Sequence, residues 1–211
     1  MKYLYNPPWL VKKIFNDFYW ETSNHKILIT FDDGPNPQTS DLILKKLSDE
    51  KIKALFFAVG DNVNKYTELT KEILSEGHLF GNHTFNHKKI TKLSDSELDH
   101  QISSVKKVFE DKFNVSLKYF RPPYGKFNFS TSSHIKKYNL KNVMWSLLTF
   151  DYKNDFSIVK FAVKKYLRSN SLTVLHDSLK SKNIIHDSIS LIVDEARIRN
   201  YEIGAAEECL N

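Results

Sequence analysis

An α/β fold built around a mainly parallel sheet is predicted from this sequence, on three observations. Short apolar runs recur from Ile27 onward, longer stretches of helical character separate them, and no internal repeat, linker or low-complexity tract divides the chain. Length narrows the architecture. Seven strand–helix units over 27–207 leave about 26 residues each, whereas a full eight-unit barrel takes about 250 residues. A shortened barrel or an open doubly wound sheet therefore fits 211 residues better than a complete barrel.

The elements follow in order. Residues 1–26 form an aromatic-rich arm, expected to pack Trp9, Phe15, Phe18, Tyr19 and Trp20 onto the domain at 27–211. A helix lying on a membrane surface is the arm's alternative reading, with only its lysines in favour. Strands are expected at 27–31 (ILITF), 54–59 (ALFFAV), 79–82, 118–121 (KYFR), 142–145, 172–176 (LTVLH) and 201–205. Helices are expected near 40–50, 67–76, 95–113, 131–138, 156–169 and 183–199. The helix near 95 has Ser94 placed as N-cap with Glu97 three residues on, the spacing of a capping box.

Composition removes several classes. With 41% hydrophobic and 13% aromatic residues the chain can bury a core, so disorder is excluded. No apolar run approaches the roughly 18 residues of a membrane span. Asn6-Pro7-Pro8 and Lys12-Lys13 interrupt the arm, and no export signal is read there, so a soluble, cytoplasmic protein is expected. Cys209 is the single cysteine and cannot form an internal disulfide; any metal has to be held by histidine and carboxylate. The net charge of +6 favours anionic surfaces or polymers, but no nucleic-acid motif accompanies it and no nucleic-acid partner is expected.

In sheets of this kind reactive groups collect at the C-terminal ends of the strands, and chemistry-bearing residues recur there. The first strand ends in Thr30-Phe31-Asp32-Asp33-Gly34-Pro35. Adjacent carboxylates at a sharp turn point in different directions, so one can bind a cation while the other stays free as a base. After the third strand, His83 and His87 in HTFNH would present both imidazoles on one face of a helical turn, suiting zinc or a similar ion. With Asp33 they would make three ligands and leave positions open for water or substrate. The fourth strand leads into Arg121-Pro122-Pro123-Tyr124-Gly125, a stiff turn suited to aiming the Tyr124 N–H at a ligand while Arg121 pairs with a carboxylate. Trp145 opens WSLLTFDY, which contains Asp151 and Tyr152, and Val174 and His176 lie at the end of the sixth strand.

Taken in order, TFDDGP, HTFNH, RPPYG, WSLLTFDY and LTVLHD resemble the five motifs of the NodB-type polysaccharide deacetylases, carbohydrate esterase family four. The resemblance runs from Ile27 to the C-terminus. It implies a distorted (β/α) barrel of about seven parallel strands, and metal-dependent removal of N-acetyl groups from N-acetylglucosamine-containing carbohydrates. Carried over by motif, Asp33, His83 and His87 would bind a divalent metal, zinc with cobalt or manganese as alternatives. Asp32 would be the general base held by Arg121, and His176 the general acid tuned by Asp151. The Tyr124 N–H would stabilise the oxyanion, with Pro123, Tyr152, Val174 and Trp145 also facing substrate. The chain departs from the common pattern at Leu148 (often Asp), Tyr152 (often Trp), Val174 (usually Leu) and Leu55 (often Thr). Those departures touch substrate identity rather than reaction class. Two other readings share these residues: a hydrolase of another non-peptide C–N bond such as a cyclic amide, and a glycan-binding protein without catalysis.

Overall fold

The computed structural model describes residues 4–211. Seven parallel strands form one sheet: β1 (Leu28–Asp32), β2 (Leu55–Ala58), β3 (Leu79–Asn82), β4 (Tyr119–Phe120), β5 (Lys141–Asn142), β6 (Leu147–Leu148) and β7 (Leu172–His176), in the order β5-β4-β3-β2-β1-β7-β6. Around them run the helices α1 (Trp9–Ile14), α2 (Ser40–Asp49), α3 (Gly60–Lys65), α4 (Thr67–Ser75), α5 (Asp95–Phe113), α6 (Phe129–Lys137), α7 (Phe156–Tyr166), α8 (Ile185–Ile198) and α9 (Ala206–Cys209). None of them is long and apolar enough to cross a membrane.

The curl of the sheet follows from one connection. β5 and β6 are its two edges, yet only residues 143–146 separate them. An extended chain covers at most about 3.5 Å per residue, so the edges approach to within roughly 17 Å. Seven strands laid flat would hold those edges about 29 Å apart at 4.8 Å per strand. The sheet has to bend into a half-barrel, and the 143–146 segment crosses its seam. This is where the expected strand at 142–145 gives way. The apolar run Val143-Met144-Trp145 has the composition of a strand, but its backbone bonds go to different elements: Val143 N–H to Phe120, Met144 N–H to Tyr19 and Ser146 N–H to Leu172.

Side chains alternate along the strands as a pleat requires. Ile29 and Phe31 join Phe56, Phe80 and the inner faces of the helices in the main core. Leu28, Leu55, Phe57, Tyr119 and Leu172 face into the half-barrel, where Ala206, Cys209 and Leu210 of the C-terminal segment pack against them. The segment 201–205 is not a strand: Ile203 makes a single bridge to Ile27, and Gly204 leads directly into α9. The capping box at Ser94 is present, with Ser94 Oγ accepting from Glu97 N–H and Glu97 Oε2 accepting from Ser94 N–H at 2.8 Å. Phe18 and Trp20 of the arm pack on Met144, and Tyr19 pairs with Val143 beside β5. Trp9, however, is 70% exposed, because it sits on the six-residue α1 with Lys13 laid over its ring rather than the core.

Candidate active site

Period and register assemble the site. Two residues beyond Thr30 on the same face of β1 lies Asp32, and two beyond Val174 on β7 lies His176. The parallel register pairs Asp32 with His176 across β1 and β7. On the other side, Asn82 of β3 pairs with Phe120 of β4, so the residues that follow, His83 and Arg121, leave the sheet side by side. These strand ends open on a cavity of about 330 Å³ lined by Asp32, Asp33, His83, His87, Tyr124, Gly125, Trp145, Leu148, Tyr152, Val174, His176 and Lys180.

Arg121 is fully buried, and its guanidinium is committed. It donates to Asp32 Oδ1 at 2.6 Å, Thr30 Oγ1 at 2.7 Å, the Met144 carbonyl at 2.8 Å and the Val143 carbonyl at 2.9 Å, with its plane 4.0 Å over the Phe57 ring. A buried charge is tolerated only when satisfied in this way. Asp32 is thereby fixed through one oxygen, and its Oδ2 accepts no hydrogen bond among the described residues.

Asp33 turns the other way because its φ is +79°, in the left-handed region. Gly34 follows, where a Cβ would lie 2.1 Å from Asp177 Oδ2. Asp177 is buried, accepts from Thr39 Oγ1 at 2.5 Å and Ser40 Oγ at 2.6 Å, and so ties the end of β7 to the loop carrying Asp33. Burial pushes its carboxyl up to about 7.

The histidines converge without a helix. Residues 83–87 form a loop in which Thr84 and His87 have φ of +65° and +54°. Its shape comes from outside hydrogen bonds. Asn82 Oδ1 accepts the Thr84 N–H, and Gln101 of α5 takes the Asn86 N–H and donates to its side chain. The result brings His87 Nε2 to 3.1 Å and His83 Nε2 to 3.7 Å from Asp33 Oδ1. One donor atom from each of the three residues lies within 4.8 Å of the others. His83 Nδ1–H donates to the Arg121 carbonyl at 2.8 Å, which fixes the tautomer and leaves Nε2 as a lone-pair donor. Burial holds its pKa down at about 4, so the ring is neutral, as a ligand must be. Burial would raise Asp33, but the hydrogen bond from His87 and the field of His176 outweigh it and hold the carboxylate well below its usual range. This donor set fits a divalent metal ion.

Opposite stands His176. Its Nδ1–H donates to Asp151 Oδ1 and its backbone N–H to Asp151 Oδ2, both at 2.7 Å. Burial would lower the imidazole pKa, yet Asp151, with Asp33 and Asp32 nearby, raises it to about 9. Aromatic edges flank both ends of the cavity, with Tyr124 4.6 Å from His87 and Tyr152 4.7 Å from His176, centroid to centroid. Tyr124 itself has φ of +59°.

The sequence-derived residues thus meet in one place, with distinctions. Arg121 and Asp151 lie behind the wall and act on it through Asp32 and His176. Pro123 is buried and is not part of the lining. Lys180 and Gly125 line the cavity without having been singled out, and Leu148, noted in the sequence only as a departure from the family pattern, lines it beside Val174, its partner in the register. Asp177 was passed over too, although it directly follows His176.

A family model described as polysaccharide deacetylase matches residues 20–143. The chain is also 34% identical over 197 residues to a peptidoglycan-N-acetylglucosamine deacetylase of Bacillus cereus, covering 90% of this chain and 92% of that one. The chain belongs to the polysaccharide deacetylase family. Chitin deacetylase 1 of Saccharomyces cerevisiae, another relative, is 39% identical over 132 residues, 63% of this chain and 42% of its own length. Among solved polysaccharide deacetylase folds, that of the Bc1960 peptidoglycan N-acetylglucosamine deacetylase superposes with a TM-score of 0.86 at 24% identity, over 96% of both chains. The seven-stranded half-barrel is therefore the fold of this family. It also carries BA3943 of Bacillus anthracis, a CE4 family pseudoenzyme, with a TM-score of 0.81 at 20% identity over 91% of this chain and 68% of that one.

Proposed function

We propose that this chain is a metal-dependent carbohydrate N-deacetylase that releases acetate from an N-acetylglucosamine-containing glycan. The observation that carries the reading is that Asp32 and His176 face one cavity beside the Asp33–His83–His87 cluster, each held by a buried partner. Named relatives act on peptidoglycan and chitin, which share the N-acetylated sugar.

Asp33, His83 and His87 would hold the ion, which supplies Lewis acidity that polarises the acetyl carbonyl and acidifies nearby water. The other steps belong to the protein. Water adds its oxygen to the acetyl carbon as Asp32 Oδ2 takes its proton, while Arg121 keeps that carboxylate in place. The Tyr124 backbone N–H donates to the oxygen on which negative charge develops. His176, protonated and oriented by Asp151, gives the proton on Nε2 to the departing nitrogen, so the C–N bond breaks to a neutral amine and acetate. Trp145, Leu148, Tyr152 and Val174 form the apolar wall against which the acetyl methyl and sugar ring pack.

The test is acetate release from chitooligosaccharides and peptidoglycan fragments after loading with zinc, cobalt or manganese. Acetate from a glycan, lost on Asp32→Asn, supports the reading. Turnover of cyclic amides but not sugars would replace it with hydrolysis of another C–N bond, and glycan binding with no turnover under any metal would make the chain a binding protein.

A further inference from the structure

We infer that Lys180 reads a carboxylate on the substrate, so that the preferred glycan is acidic at or beside the acetylated sugar; this rests on the proposed deacetylase reading. Lys180 is the one lysine or arginine among the residues lining the cavity. Its ammonium makes no ion pair or side-chain hydrogen bond among the described residues, whereas Lys182 two positions on donates to Gln38 Oε1 at 3.0 Å. The turn that carries it is anchored to the site. Ser181 Oγ donates to the His176 carbonyl at 2.5 Å and to the Ser178 carbonyl at 2.9 Å, which pins the turn carrying Lys180 to the end of β7.

The charges around it choose the ligand. Tyr124, Trp145, Leu148, Tyr152 and Val174 make the rest of the wall apolar or aromatic, so a solvated cation among them has no protein counter-charge nearby except the acidic pair. Asp33 is committed to the histidine cluster and Asp32 to Arg121, which leaves Lys180 to pair with the substrate. Phosphate is bound best by several donors or an arginine fork, and Lys180 offers neither. A single lysine matches a single negative charge. The carboxylate could come from a lactyl ether on the sugar itself or from a neighbouring uronic acid.

The experiment compares three tetrasaccharides: a neutral N-acetylglucosamine oligomer, one containing N-acetylmuramate, and a hyaluronan fragment. For wild type, K180A, K180E and K180R, it measures kcat/KM by acetate release and binding by calorimetry. The acidic-to-neutral ratio should exceed one in wild type and fall about threefold in K180A, the size of an exposed ion pair. It should fall about tenfold in K180E, where attraction becomes repulsion, and survive in K180R. The loss should appear in KM rather than kcat and shrink as salt rises. Whichever acidic glycan responds identifies the source of the carboxylate. An acidic-to-neutral ratio that is the same in all four proteins, in both turnover and binding, overturns the inference while acetate release still upholds the reaction. Lys180-dependent binding of an acidic glycan without acetate from any substrate sustains the inference and sinks the reaction.

Discussion

Asp32 and Asp33 are neighbours in sequence with opposite environments. The backbone stays extended through Asp32 and turns left-handed at Asp33, so one carboxylate faces Arg121 and the other the histidines. We expect Asp32→Asn to lower kcat by about 10²–10⁴, the usual worth of a positioned proton acceptor, with acetate release as the measure. Arg121→Ala strands a buried carboxylate and frees the carbonyls of Val143 and Met144; denaturant unfolding should show a loss of about 3–5 kcal/mol. His176 gives a signed pH dependence. As the proposed general acid it would act protonated, so activity should fall as pH rises through its pKa, and Asp151→Asn, by removing the partner that raises that pKa, should move the alkaline limb of kcat/KM to lower pH. The same shift bears on folding in ion-free protein. A pKa raised from 6.5 to about 9 gives stability that is complete below 6.5 and lost as pH climbs through about 9, which thermal unfolding across that range will show. The motif residues were legible because each carries a chemical signature at a strand end. Lys180 and Asp177 carry none, since a lysine in a turn and an aspartate after a histidine look alike whether or not a cavity opens beside them.

At the scale of elements, strong local signals survived and tertiary ones did not. The helix at 95–113 was expected with its bounds and its cap, because Ser94 and Glu97 complete a capping box within the local chain. Ser94→Ala should cost about 1 kcal/mol, read as a lower Tm. The six-residue α3, GDNVNK, escaped notice since Gly, Asp and Asn are poor helix formers; its first N–H groups are satisfied by the carbonyls of Thr84 and Phe85 from the histidine loop. The expected helical turn at HTFNH failed for the converse reason. Its five residues could form a turn of helix, but Asn82 and Gln101 offer the backbone better partners in a left-handed loop. Gly125 is where an element-level constraint meets the site. With φ of +59° and a Cβ position 2.2 Å from the Trp145 ring, Gly125→Ala should both lower Tm and displace the Tyr124 N–H, reducing kcat more than it changes KM.

Over the whole molecule, metal and fold should be coupled. Asp33, His83 and His87 come from two separate loops, so an ion binding all three stabilises only the folded chain. Removing it by chelation should abolish acetate release and lower Tm, with about 2.7 kcal/mol regained at an ion concentration 100 times Kd. The sequence by itself determined the strand–helix alternation, a mainly parallel sheet too short for a complete eight-unit barrel, and the chemistry available at each strand end, because these depend on chain length and on residues close together in the chain. Tertiary structure decided that 143–146 is a seam and not a strand, that the left-handed loops aim Asp33 and the histidines at one another, and that Lys180 stands at the cavity wall. Each of those outcomes depends on hydrogen bonds and close approaches between segments far apart in sequence, where the local pattern holds no record of the partner.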